Sequence, residues 1–247
     1  MRIALIGRGR VATHLLKALL QAGHEVVSVN SRTLEELPLE ADVYILSVKD
    51  SALQDVIRNA VKGREGQLFV HTAGSMSMDL FKGCCARYGV LYPMQTFSLD
   101  REVNFREIPL FIEGDDPRIR AVAESLSAHV YELSTADRRY LHLAAVFACN
   151  FTNHCYALAA DVLAQKGLPF DVMLPLIDET ARKVHELHPT DAQTGPAVRG
   201  DQNVMDAQSA LLDDRLATIY MLMSESIKDE KERYDQLRLK EDTGHRV

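Results

Sequence analysis

No apolar run in this 247-residue chain approaches the roughly 20 residues that a membrane-spanning helix needs. Cysteine is sparse. Cys84 and Cys85 are adjacent, Cys149 and Cys155 stand apart, and no pair has C-x-x-C spacing. That excludes a disulfide framework and a zinc-knuckle pattern, and reduced thiols are expected. Basic excess is missing too: 28 Lys and Arg face 35 Asp and Glu, a formal net charge of −7. Such a balance argues against a nucleic-acid or anionic-membrane surface, although local basic spots can still bind phosphates. His185-x-x-His188 has ligand spacing but no third ligand, and Pro189 follows at once, so no metal site is expected. There is no internal repeat and no low-complexity segment. Met1-Arg2-Ile3 reads as the start of a strand rather than a signal peptide, so a cytoplasmic location is expected.

What is there begins at once. Arg2–Ile6 is a short apolar run of strand length, and apolar residues at Val11, Leu15, Leu16, Leu19 and Leu20 follow with helical period. Between them lies Gly7-Arg8-Gly9-Arg10-Val11-Ala12, a G-x-G-x-x-A turn. Each small residue has a use there. Gly7 permits the tight turn, Gly9 lets a pyrophosphate approach the backbone, and Ala12 lets helix and strand pack closely. The free N–H groups at the helix start favour an anion. A dinucleotide site is therefore expected.

The next strand, Glu25–Val29, runs into Asn30-Ser31-Arg32-Thr33. An NAD site usually has a carboxylate at this point for the ribose 2′-hydroxyl. Here a guanidinium and two hydroxyls stand instead, suited to a 2′-phosphate, and NADP(H) is the expected cofactor. The other reading is an ordinary polar turn between strand and helix.

Strands at 41–48, 67–71, 89–93, 108–113 and 130–133 alternate with helices at about 50–61, 78–88 and 117–128. The alternation predicts an α/β class: a Rossmann-type, mostly parallel sheet over 1–134, with ligands at the carboxyl ends of its strands. From Ser134 the pattern turns helical, predicting an all-helical domain over 135–247. Its first helix, about 137–166, is apolar around much of its circumference, which predicts burial and favours a homodimer packed through this domain. The charged stretch from Lys228 to Val247 reads either as a solvated helix or as a frayed tail.

The nicotinamide end of the site should be walled by the loops Ser47-Val48-Lys49, His71-Thr72 and Pro93–Thr96. Hydride transfer to a carbonyl or imine needs a proton donor, and histidine is the usual one near neutral pH. His71 and His154 are the first candidates, and His142 comes after them. His71 has the alternative of being hydrogen-bonded at a strand end, and His154 that of lying at a subunit contact. Lys49 reads as a donor or substrate anchor, or as an exposed residue at a helix start. Asn150 needs partners in its apolar helix, either from a ligand or from neighbouring backbone. Gln95 is a further candidate for contact with a small-molecule substrate. The stretch Thr194–Asp201 has the make-up of a binding loop, with Thr194, Gly195 and Arg199 as substrate-binding candidates. An ion pair from Arg199 to Asp201 is the competing reading.

Taken together, Gly7–Ala12, His71–Ser75, Leu91–Phe97, Ala145–Phe151 and Thr194–Asp201 resemble one family across nearly the whole chain. It comprises two-domain proteins with a Rossmann-like N-domain and a helical C-terminal domain of unknown function, labelled NADP oxidoreductases. The layout is more distantly similar to pyrroline-5-carboxylate reductase, prephenate dehydrogenase and the β-hydroxyacid dehydrogenases. The resemblance implies the fold, NADP(H) and dimerisation. It leaves three readings: an oxidoreductase acting on a small carboxylate-bearing metabolite, a non-catalytic NADP-binding sensor, and an imine reductase of the pyrroline-5-carboxylate type. The Lys-x-x-x-Asn pair of the β-hydroxyacid dehydrogenases is not matched, because Val146 stands where their lysine would precede Asn150.

Overall fold

A computed structural model describes residues 1–244. Contacts divide the chain into two compact units, Met1–Phe151 and Thr152–Val247.

The first unit is built on a seven-stranded sheet in the order β2-β1-β3-β4-β5-β6-β7. The strands are β1 (Arg2–Ile6), β2 (Glu25–Val29), β3 (Val43–Leu46), β4 (Leu68–His71), β5 (Arg87–Pro93), β6 (Leu110–Glu113) and β7 (Val130–Glu132). All neighbours pair in parallel except β5 with β6. The expected α/β class is what folds.

Alternation along the strands explains the layers. Ile3 and Leu5 face one core with Val43, Ile45, Leu68 and Val70; α1 (Arg10–Gln21) and α3 (Pro117–Leu126) cover it with Leu15, Leu19, Ile119 and Val122. Ala4 and Ile6 face the other core with Tyr44, Leu46 and Phe69, under Leu53, Val56 and Ile57 of α2 (Asp50–Ala60). Asp116 caps α3 by accepting from the Arg118 N–H, with Pro117 at the first turn.

Two expectations change. The segment 78–88 is not a helix: only Met78–Phe81 makes a 3-10 turn, and the chain is extended again by Arg87, which pairs with Leu68. Sheet pairing outweighs the local helical pattern. The long helix is also interrupted. α4 (Thr135–Ala145) passes through a π turn at Val146–Phe151 before α5 (Thr152–Ala164). Its apolar residues were expected to be buried, yet Phe147 is 63% and Phe151 51% exposed.

The first unit extends past the composition change near 134 because α4 is tied to the sheet. Arg138 is fully buried and forms an ion pair with Glu113 at the end of β6. It also donates to the Met76 carbonyl at 2.6 Å, and Glu113 accepts from the Thr135 N–H at 2.7 Å. Burial alone would raise the Glu113 carboxyl, but hydrogen bonds from Thr135 and Arg138 outweigh it and hold it below the usual glutamate range. Ser134 caps the helix by accepting from the Asp137 N–H.

The second unit is helical: α5, α6 (Leu174–Lys183), α7 (Pro189–Ala192), α8 (Pro196–Arg199), α9 (Gln202–Ser209) and α10 (Asp214–Gly244). α10 runs on through the charged stretch as a helix, and 245–247 lie outside the described residues. Two residues in that stretch tie it to α7 and the residue before it. Tyr234 donates to Asp191 at 2.9 Å and stacks on His188, and Arg238 pairs with Asp191 at 3.3 Å.

Arg138→Ala leaves the Glu113 carboxylate without its cation and should cost about 3–5 kcal/mol, read as a fall in Tm. The Glu113 contribution is present above the unfolded glutamate value and is lost as pH falls through the lower folded value. Glu113→Gln should therefore flatten the acid limb of a Tm-against-pH curve.

Candidate functional site

The cleft at the carboxyl ends of β1, β3, β4 and β5 encloses about 840 Å³. It opens at the strand-order reversal between β1 and β3, where open α/β sheets bind ligands. One geometric constraint makes it. Gly7 has φ +132°, and a Cβ there would stand 2.1 Å from the Ser47 carbonyl oxygen. The turn can therefore press against the end of β3 only as glycine. A Cβ at Gly9 would meet nothing within 4 Å. That open space lies at the start of α1, where no side chain caps the first turn. A free N-terminus beside an empty approach is an anion cradle.

Most of the expected cofactor residues line this one cleft: Gly7, Arg8, Gly9, Arg10, Val11, Asn30, Ser31, Arg32, Ser47, Val48, Lys49 and Thr72. Ala12 does not; it is buried in the core, as helix-to-strand packing requires. Three arginines, Arg8, Arg10 and Arg32, bring cationic groups to the lining. Asn30 accepts from the Arg32 N–H at 3.0 Å, which fixes the turn after β2. Thr72 donates to the Ser47 hydroxyl at 3.2 Å, joining the ends of β3 and β4. The residues present fit a dinucleotide phosphate in donor type and in space.

Gln95 also lines the cleft, on a loop held over α1 by a hydrogen bond between His14 Nε2 and the Ser98 carbonyl at 2.8 Å. Lys49 is an exposed lining residue at the start of α2. Its neighbour Asp50 accepts from Ser75 at 2.6 Å instead of capping the helix.

His71 is corrected as a proton donor. It is 0% exposed and does not line the cleft. Its Nδ1 accepts from the Ala73 N–H at 3.2 Å, so Nε2 carries the hydrogen and donates to the Ser77 carbonyl at 3.3 Å. Burial, then the nearby Arg138 cation, push its pKa down to about 4. His71 is a neutral strut at the end of β4.

A different histidine occupies the cleft. His142 of α4 lines it beside Tyr92 of β5, with the Tyr92 hydroxyl 3.0 Å from His142 Nδ1. Gly74 leaves room for the pair: a Cβ there would stand 2.6 Å from His142 Nδ1 and 2.8 Å from Tyr92 Cζ. Burial raises the Tyr92 pKa, partly countered by Arg138. Sequence spacing ranked His142 low, and no local signal marked Tyr92; fifty residues separate them.

The remaining candidates do not line this cleft. Asn150 is exposed in the π turn of the first unit. His154 is exposed at the start of the second unit. Thr194 lines a separate apolar cavity of about 560 Å³ within that unit. Gly195 adopts φ +113° before α8, and Arg199 forms an exposed ion pair with Asp201 at 2.8 Å. That pair matches the structural reading of the loop.

Residues 2–39 match the family profile described as NADP oxidoreductase, coenzyme F420-dependent, and residues 108–227 match a domain of unknown function. No curated protein matches the chain. Among solved structures, a Bacteroides fragilis protein provisionally designated an NADP oxidoreductase is 47% identical over 92% of this chain and 98% of its own, with TM-score 0.87. An imine reductase from Myxococcus stipitatus in complex with NADP+ is 17% identical over 94% of this chain and 95% of its own, at TM-score 0.69. A pyrroline carboxylate reductase from Plasmodium falciparum with NADP bound is 12% identical over 94% and 97%, at TM-score 0.59. These last two share the fold.

The two glycines of the turn should separate on substitution. Gly7→Ala clashes with backbone at a strained φ and should lower Tm by the equivalent of about 3 kcal/mol or more. Gly9→Ala should cost about 1 kcal/mol or less, since a Cβ there meets nothing within 4 Å, yet weaken binding of inorganic pyrophosphate measured by calorimetry.

Proposed function

Because the chain belongs to the NADP oxidoreductase family with a C-terminal domain of unknown function, we propose that it is an NADP(H)-dependent reductase. Its substrate would be a small carboxylate-bearing metabolite with a carbonyl or imine carbon. The observation that carries the reading is the cleft lining. Arg8, Arg10 and Arg32 stand beside a glycine turn, with Asn30 and Ser31 at the place where an NAD site keeps a carboxylate.

In this reading the α1 N-terminus and Gly9 hold the pyrophosphate, and Arg32 with Ser31 holds the 2′-phosphate. The bound cofactor supplies a hydride. Ser47, Val48 and Thr72 orient its nicotinamide end, and Lys49 and Gln95 face the substrate. Arg199 is engaged with Asp201, so Lys49 is the preferred carboxylate anchor. Asn150, His154, Thr194 and Gly195 do not line this cleft and take no part in this reading. A homodimer belongs to the same reading: Tyr140, Leu143, Phe147 and Phe151 expose an apolar face in the single chain, which association would cover.

Calorimetric titration should show tighter binding of NADPH than of NADH. Arg32→Ala should weaken NADPH by about 10- to 100-fold, the worth of one charged hydrogen-bonding group, and leave NADH nearly unchanged. Equal affinity for both nucleotides would overturn the cofactor assignment. Oxidation of NADPH is then followed with a panel of 2-keto acids and cyclic imines that includes 1-pyrroline-5-carboxylate. Turnover of that imine selects the imine-reductase reading. Tight NADPH binding with no turnover across the panel selects a non-catalytic sensor.

A further inference from the structure

We infer that Tyr92 is the proton donor of the proposed reduction, and that His142 is the positioning residue that recharges it. The inference rests on the reading of the cleft as an NADP(H)-dependent reductase site.

Three observations converge on the pair. Both rings line the cleft, at the ends of β4 and β5 where the reacting end of a dinucleotide is expected. The hydroxyl and Nδ1 are 3.0 Å apart, within hydrogen-bond reach. Gly74 is the residue beneath them, and any larger side chain would displace both. The other candidate donor, His71, is sealed below the cleft with both ring nitrogens engaged. Tyr92 is buried yet lines the cleft, whereas His142 is only partly buried and can exchange protons with water.

The carbonyl or imine carbon takes a hydride from the reduced nucleotide, which is oxidised to NADP+. A C–H bond forms and the C=O or C=N π bond breaks. The heteroatom takes the proton of Tyr92 Oη. His142 Nδ1 passes its proton to the phenolate, and His142 regains one from solvent. For this, the Nδ1–H of His142 donates to Tyr92 while the Tyr92 hydrogen points at the substrate. The charged groups around the pair set its field. Arg138 lies near Tyr92 from α4 with Glu113 as its counter-ion, and Lys49 and Asp50 line the same cleft.

The first readout needs no turnover. Full-length protein carrying isotope-labelled histidine is titrated with NADP+ and followed by NMR, with the His142 ring signal assigned through His142→Gln. Saturation, checked independently by calorimetry, should shift that signal. Tyr92→Phe keeps the ring and removes the hydroxyl bonded to His142 Nδ1, so the His142 ring signal should shift in the free protein as well. Gly74→Ala should shift that signal too, by displacing both rings without removing either group. For any member of the keto-acid and imine panel that wild type turns over, Tyr92→Phe should lower kcat by about 100-fold or more, with NADPH affinity unchanged. A His142 signal that ignores bound NADP+ or is unmoved in Tyr92→Phe, or an unchanged kcat in Tyr92→Phe on a substrate that wild type turns over, overturns the inference while the cofactor reading stands. Absence of NADP+ binding by calorimetry overturns the cofactor reading, and the inference falls with it.

Discussion

The contact between Gly7 and the Ser47 carbonyl is the constraint on which the site depends. The Ser47 N–H donates to the Ile6 carbonyl at 2.8 Å, and the Gly7 N–H to the Val29 carbonyl at 2.9 Å. The chain leaving β1 is thus pinned between the ends of β2 and β3, at a spacing that leaves no room for a Cβ. Because β2 and β3 flank β1 on opposite sides, their following loops diverge there, and the cleft opens between them. The open N-terminus of α1 and the cationic lining are consequences of that geometry. A side chain at Gly7 would remove all of them together.

A second organiser works from below. Arg138 brings α4 against the end of β6 and the 75–77 loop, and in doing so delivers His142, one turn further along α4, to Tyr92. The buried cation also helps keep His71 neutral, second to burial itself. A buried ion pair is a poor source of net stability but a good device for register. Here the register it sets is that of a functional side chain.

The parts legible in the sequence were those with local signals. Gly7–Val11 between an apolar strand and a helical period, Asn30–Arg32 after the next strand, and the strand ends at Ser47 and Thr72 all follow from patterns within a few residues, and all line one cleft. Long-range pairing erased what local pattern favoured at 78–88, where β5 recruits residues that read as helix. His71 looked like a donor because it ends a strand, and only tertiary packing reveals that its ring turns into the core. Arg138 was invisible for the same reason: nothing near it says that Glu113 will be its partner. Tyr92 and His142 meet only once the antiparallel β6 and the buried arginine have set α4 against β5. The π turn that interrupts the long helix had no sequence signal either, and it places Phe147 and Phe151 on an exposed face.

A crystal structure of the full chain with NADP+ would decide where the nucleotide sits. The 2′-phosphate is expected against Arg32 and Ser31, the pyrophosphate at Gly9 and the first turn of α1, and the nicotinamide ring beside Tyr92 and His142. A nucleotide bound elsewhere, or one whose nicotinamide lies away from that pair, would contradict this placement.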